Sequence, residues 1–265
     1  YDSLSDHGKK TITAEAIHTF VKEDVRIQAF LDQAFSEKLF KIERQGYHPR
    51  YNGLQLLNRN VLLIYVKRLL SIDKANAPFD IIALETDFYK DFSFKVNGVE
   101  RVIRLGGQVD RLDRIGRQLR VVDYKTGRPL TSSAPSVEEI FNPDYVDSKH
   151  TVYYLQSFLY SDIISRSHEA QKDYGLGGDP VAPALLFIRQ AKDGSYNPIL
   201  KVKDEGQEGK RKATFSEVND IANVHDAFAR DLGALLADIF DEGKPFEPTA
   251  HKDRCDTCVF KDICG

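Results

Sequence analysis

Three side chains in this sequence have the types and spacing for metal-assisted hydrolysis of a phosphodiester. Asp110 lies in Gly107-Gln-Val-Asp-Arg-Leu-Asp113, and Asp123 and Lys125 lie in Val121-Val-Asp-Tyr-Lys-Thr-Gly127. Each stretch reads as a strand with a carboxylate near its end. Carboxylates from neighbouring strands can converge on one divalent metal. Mg2+ prefers hard oxygen ligands and keeps several waters. Such a metal lowers the pKa of its water and stabilises charge on a phosphate. Lys125 stands two residues beyond Asp123, so in an extended chain it faces the same side. There its charge can hold a phosphate or a water. The Tyr124 side chain then faces away, and its backbone carbonyl is a further candidate ligand. A D-x-K triplet alone is common by chance, so the elements around it must supply the frame.

That frame is read from periodicity and turn residues. Residues 12–42 read as helix in two pieces, the first capped by Thr13 with Ala14, Ile17 and Phe20 or Val21 on one face. The second holds Val25, Ile27, Phe30, Leu31, Phe35 and Leu39. After Pro49 and Gly53, residues 54–72 give an amphipathic helix through Leu54, Leu57, Val61, Leu62, Tyr65 and Leu69. The texture turns β-rich at Pro78. Strands are expected over 81–92, 94–99 and 101–105, with a hairpin at Asn97-Gly98. A second pair, 109–112 and 119–122, turns at Ile115-Gly116. Residues 129–148, with Pro129, Pro135 and Pro143, read as loop; 151–165 as helix; and 174–180 as a glycine-rich connection. Residues 182–188 read as a buried strand with 199–202 pairing nearby, 203–212 as a solvated loop, and 215–240 as one long helix with Ser216 as cap. Pro245 and Pro248 end it. Helices, mixed strands, helix, strand, helix: this order predicts one α/β domain with a small Cys-bearing tail.

Composition bounds the function classes. An apolar share of 42% and a charged share of 29% describe an ordinary globular chain with enough apolar residues for a sizeable core. The net charge of −3 neither favours nor excludes a polyanionic partner, so nucleic-acid binding would need a local basic surface. No apolar run approaches the ~18–20 residues of a membrane span. No signal peptide opens the sequence. A cytoplasmic protein without a membrane partner is expected. The absence of any Met points to a piece of a longer protein. Cys255, Cys258 and Cys264 are the three cysteines, spaced C-x2-C-x5-C. An odd, tight cluster is a poor disulfide framework and suits thiolate metal ligation in a reducing compartment. Zinc is one candidate, with His251 as a fourth ligand.

G-x-V-D-R-L-D followed by V-V-D-Y-K-T-G resembles the PD-(D/E)XK nuclease superfamily, and within it the RecB/AddB-like branch. The resemblance implies a restriction-endonuclease-like core with a mixed central sheet flanked by helices. It divides the chain into a helical part at 1–78, a nuclease core at 79–248 and a Cys-rich tail at 249–265. It implies that Asp110, Asp123 and the Tyr124 carbonyl hold Mg2+ or Mn2+ and that Lys125 positions water or phosphate. The branch carries Q-x-x-x-Y on the next helix, matched by Gln156-Ser-Phe-Leu-Tyr160, which puts Gln156 and Tyr160 on one helix face. Glu85 stands where the branch often has an upstream glutamate. Arg111 and Asp113 flank Asp110 and are expected to shape the site through a salt bridge or a phosphate contact. The tail resembles one in which the three cysteines join a distant upstream Cys around a [4Fe–4S] cluster. The G-T-x-x-H motif of the branch has no counterpart here, since His7 and His18 lack its context. The resemblance thus implies a DNA nuclease, exonuclease in mode, acting on single strands or duplex ends in double-strand break repair beside a helicase portion or partner. The alternatives are a stand-alone iron–sulfur nuclease of CRISPR adaptation and a non-catalytic DNA-binding scaffold of the same fold.

Overall fold

A computed structural model describes residues 1, 11–42, 50–127, 133–189, 196–204, 213–245, 247, 249 and 252–264. His7, Pro49, Pro129, Pro248, His251 and the 205–212 part of the expected loop lie outside the described residues, as does the side chain of Cys264.

A short strand β1 (Thr11–Ile12) leads into α1 (Ala14–Phe20) and α2 (Asp24–Ala34), which a single π turn (Phe35–Leu39) extends. Thr13 caps α1 as expected, its hydroxyl accepting from Ala16 N at 3.2 Å. The helix α3 (Gly53–Asn76) is entered through a capping box between Asn52 and Gln55, which satisfies two otherwise orphaned backbone donors. Its apolar pattern is used unevenly. Leu70, Ile72 and Asp73 near its end are buried, while Leu54, Leu57, Val61 and Leu62 are exposed. Likewise α2 buries Ile27 and Leu31 and leaves Val25 and Phe30 exposed, with Leu39 of the π turn also exposed. Amphipathic spacing identified these helices but not how far along them the partner surface reaches.

The sheet follows as β2 (Phe79–Val96), β3 (Val99–Ile115) and β4 (Gln118–Lys125). The four short strands expected between 81 and 112 are thus arms of one long hairpin, turning at Asn97-Gly98 with φ of 49° and 81°. Two positive φ values in a two-residue turn are what asparagine and glycine tolerate. After β4 come two single 3-10 turns (Glu138–Phe141 and Pro143–Tyr145), α4 (Thr151–Arg166), α5 (His168–Asp173) and β5 (Val181–Phe187). The strand order is β1-β2-β3-β4-β5, antiparallel up to β4, with β5 parallel to β4. A parallel pair needs a crossover, and α4 supplies it. This five-stranded mixed sheet flanked by helices is the expected α/β architecture.

The C-terminal third departs from expectation. Residues 215–240 are not one helix. Phe215–Glu217 forms β7, paired antiparallel with β6 (Lys201–Lys203). A 3-10 turn over Ile221–Val224 follows, and the helix α6 spans only His225–Ile239. Ser216 is therefore a strand residue. Asp220 is the local cap, its carboxylate accepting from Ala222 N at 3.1 Å. Asn and Asp side chains compete for nearby backbone N–H groups, and at Asn219-Asp220 that competition interrupts the helical pattern. Ile199 does pair nearby, bridging to Ala184. The helix α6 buries Phe228, Leu232 and Leu236 against β2. The tail holds a 3-10 stretch (Lys252–Thr257) and the short helix α7 (Lys261–Cys264). Among the described residues no helix is long and apolar enough to cross a membrane.

The two faces of the sheet carry different interiors. One packs Tyr154 and Phe158 of α4 and Phe228 of α6 on Leu112 and Val121; the other packs Ile72 of α3 on Val122 and Leu186. Strict alternation fails at a β-bulge between Ile81 and Ala83, and again a few residues further along the hairpin. Val109 and Leu112 lie three apart yet share one core, as do Ala83 and Phe88, five apart. Between them the β2–β3 ladder pairs Leu84 with Arg111 and Thr86 with Val109, passing over Glu85 and Asp110. Glu85 takes a left-handed φ of 47° there. Both strands change faces at that one step. Just beyond, Gly106 has φ +154°, and a Cβ there would lie 2.0 Å from the Phe88 carbonyl oxygen, so only glycine fits.

Candidate active site

Asp110 is not at a strand end; it lies within β3, and the sheet forks beside it. The β3–β4 ladder runs from Ile115 and Gln118 to Arg111 and Val122, then ends. β4 continues along β5 to the Lys125–Phe187 pair, whereas β3 continues along β2 toward the hairpin turn. Asp110 and Asp123 are the next facing positions beyond the last rung. Asp110 Oδ2 accepts from Tyr124 N at 2.8 Å, so the side chain replaces the ladder bond that the fork removes.

Asp123 is buried and Lys125 half-buried, and Lys125 Nζ lies 2.7 Å from Asp123 Oδ2. The contact is a close ion pair between a buried carboxylate and an ammonium. Lys125 Nζ also donates to Gln156 Oε1 at 3.3 Å. Burial raises the Asp123 carboxyl above its usual range, opposed by Lys125 and reinforced by the negative charge of Asp110. The folded chain therefore holds that proton more tightly than the unfolded chain does. The stability this contributes is full below the ordinary aspartate range and is lost as pH rises through the raised value. Urea midpoints of metal-free protein should show wild type losing ground to Asp123→Asn over that rise; parallel curves would contradict the assignment.

Tyr160 and Gln156 lie on the face of α4 turned to the sheet. Tyr160 packs so closely on Gly107 that an added Cβ there would stand 2.6 Å from its hydroxyl oxygen. Gly107→Ala is expected to destabilise by about 1–3 kcal/mol through overpacking. Tyr160→Phe in the same chain should recover part of that loss in urea denaturation, and an unimproved double variant would contradict the contact. Tyr124 turns its side chain to the opposite face, where its hydroxyl accepts from Arg111 Nη1 at 3.2 Å.

Three other expected positions have the following surroundings. Glu85 is exposed at the step facing Asp110, and among the described residues no group of three acidic, His or Cys side chains is placed to hold a metal. Asp110 and Asp123 are thus the two carboxylates that the fork itself brings together. Arg111 takes the salt-bridge alternative. It is 1% exposed, on the far face of the sheet, with Nη1 3.0 Å from both Asp73 oxygens and Nε 2.6 Å from Asp113 Oδ2. Arg120 holds Asp113 through two 2.8 Å bonds, completing the salt-bridge alternative. In the tail, Cys258 N donates to Cys255 O at 3.2 Å. Arg254 ties this segment to Asp147 at 2.6 and 2.9 Å.

Sequence reading missed Tyr153 and His150. Lys125 Nζ sits 4.7 Å from the Tyr153 ring centroid, and His150 stacks on that ring at 5.8 Å. The available signal was helical spacing, since Tyr153, Gln156 and Tyr160 fall at i, i+3 and i+7.

The rat (Rattus norvegicus) protein Utrophin is 29% identical over 239 residues, which make up 88% of this chain and 7% of that protein. The chain therefore spans only a small part of that relative's length. No solved structure matches. The sequence pattern that defines the PD-(D/E)XK nuclease superfamily matches residues 12–265, nearly the whole chain, including the forked sheet and the helix behind it. With that extent of match, and with the α/β core that a restriction-endonuclease-like fold requires, this chain belongs to the PD-(D/E)XK nuclease superfamily.

Proposed function

We propose that the chain is a DNA nuclease of the RecB/AddB-like branch, the nuclease part of a helicase–nuclease acting on single strands or broken duplex ends. What supports this reading above all is the meeting of Asp110, Asp123 and Lys125 at the fork. The donor set fits a hard divalent cation, Mg2+ or Mn2+. Two carboxylates face each other beyond the last β3–β4 rung, and Asp123 is a buried carboxylate whose negative charge Lys125 and Asp110 both sense. Mg2+ is commonly bound by only one or two carboxylates while keeping waters. Asp110, Asp123 and the Tyr124 carbonyl would hold it, and when bound it supplies an activated water and neutralises charge on the phosphate.

The chain's own groups do the rest. Lys125 is held by a carboxylate and an amide, so its charge is oriented before substrate arrives, and electrostatic stabilisation works best when preorganised. Its place beside Asp123 suits a phosphate oxygen or the attacking water. Gln156 gives its carbonyl to Lys125, which leaves its amide nitrogen to donate to the substrate strand. Tyr160, braced on Gly107, lines the same side. The tail cysteines Cys255, Cys258 and Cys264 are read as thiolate ligands of an iron–sulfur cluster, with zinc the alternative.

The test is incubation of the protein with end-labelled single- and double-stranded DNA, with Mn2+ and with chelator, beside Asp123→Asn. Metal-dependent cutting that the variant lacks supports the reading. Equal cutting by both proteins sinks the site, and no metal-dependent cutting by the wild type favours a scaffold.

A further inference from the structure

The nuclease reading leaves unanswered how a lysine on a four-carbon stem is kept in one place. Two of its three restraints belong to the reacting site itself: Asp123 at 2.7 Å and Gln156 at 3.3 Å. Both are polar groups that substrate and cation would also engage. The third is Tyr153. Its ring face lies under Lys125 Nζ, with the centroid at 4.7 Å, a distance at which the negative face of an aromatic ring attracts a cation. The ring is itself fixed on other sides. His150 stacks on it nearly parallel, at 5.8 Å and 9°. Phe187, the β5 residue paired with Lys125, meets it at 6.2 Å and 60°. His150 can do so because it enters α4 in a left-handed conformation, φ 52°, and Tyr153 N donates to its carbonyl at 3.0 Å.

We infer that Tyr153 is a positioning residue, whose braced ring holds the Lys125 ammonium at the fork when its polar partners are drawn to substrate. The inference rests on the nuclease reading for its catalytic consequence, but the contact does not. The ring face carries the effect and the phenol hydroxyl does not, so a phenylalanine would serve and an aliphatic residue of similar bulk would not. The expected loss is modest, because one cation–π contact accounts for about a two- to fivefold change. It falls on kcat with KM little altered, since the lysine acts on the reacting phosphate and not on the rest of the strand.

Two measurements decide it. The first is an NMR spectrum of metal-free protein with labelled lysine. The Lys125 ε-methylene resonances should be shifted upfield by the ring in wild type and in Tyr153→Phe, and should relax toward ordinary lysine positions in Tyr153→Leu. Unshifted resonances in the wild type overturn the inference whether or not the protein cuts DNA. The second is cleavage with Mn2+. Tyr153→Leu should lower kcat about two- to fivefold, Tyr153→Phe should recover most of it, and Tyr153→Leu should add nothing in a Lys125→Ala background. A loss in Tyr153→Phe equal to that in Tyr153→Leu, or an additive loss in the double variant, overturns it. Wild-type protein with shifted resonances and no cleavage counts against the nuclease reading, while the Tyr153–Lys125 contact stands on the spectrum.

Discussion

Asp123→Asn is expected to lower DNA cleavage at least ~100- to 1000-fold, the scale set by removing one preorganised electrostatic group from an active site. The substitution keeps the shape of the side chain and removes the charge on which cation and lysine both depend. The fold should survive it. The charged carboxylate is costly where it sits, because burial and Asp110 already push its proton affinity up. A neutral amide removes that cost, while Lys125 keeps Gln156 and the Tyr153 ring. Near neutral pH the urea midpoint of the variant should therefore equal or exceed that of the wild type. Loss of activity together with loss of fold would mean that Asp123 is a structural carboxylate and that the catalytic assignment is wrong. A rate within tenfold of wild type in a folded variant would be equally damaging.

Arg111→Leu should show the opposite pattern, a stability defect of about 3–5 kcal/mol, as expected when one partner of a buried ion pair is removed. Arg111 is 1% exposed and is the shared cation of two carboxylates that are themselves buried, Asp73 at 2% and Asp113 at 0%. Asp113 would keep Arg120, but Asp73 would lose both 3.0 Å contacts to Nη1 and remain a buried anion with the Tyr1 hydroxyl as its partner. The guanidinium also lies over the Phe79 ring at 4.6 Å, so packing is lost with the charge. Replacing Asp73 by Leu in the same chain should recover much of the loss, since removing both members of a buried pair is far less costly than removing one. Equilibrium urea denaturation of the two variants measures this. An Arg111→Leu protein within ~0.5 kcal/mol of wild type would mean that the network contributes almost nothing.

The residues that meet at the fork were legible because their types are unusual for where they sit. An aspartate and a D-x-K on β-rich stretches, and a glutamine among helix-core aromatics, stand out from any packing pattern. The hairpin turn was legible for the same reason, Asn97-Gly98 being a strong local signal. What the sequence hid was relational. Nothing in Phe215–Phe240 shows that Phe215 pairs with Lys203, so a plausible helical pattern ran ten residues too far. The apolar spacing of α3 does not show that only its C-terminal half meets the sheet. Arg111 and Asp113 look like active-site neighbours in sequence, yet adjacent strand residues face opposite ways, and this pair was drawn to the α3 side. Tyr153 was hidden among the aromatic residues of α4, where a ring holding a lysine and a ring filling a core are the same letter.

The coincident change of face at Glu85 and Asp110 has a consequence for how such a chain can vary. On the turn side of that step, Phe88, Phe94 and Val109 bury their side chains; on the other side Ala83 and Leu112 bury theirs, and the parity differs between the two. The step thus works as a register pin, fixing the outer arm of the hairpin relative to the carboxylates. Inserting one residue in a single strand of that arm would rotate every side chain beyond it to the wrong surface. Length changes there are tolerable only in matched pairs across the two strands, or in the turn itself. The reach of the hairpin is therefore free to evolve in even increments while Asp110 stays where the sheet divides.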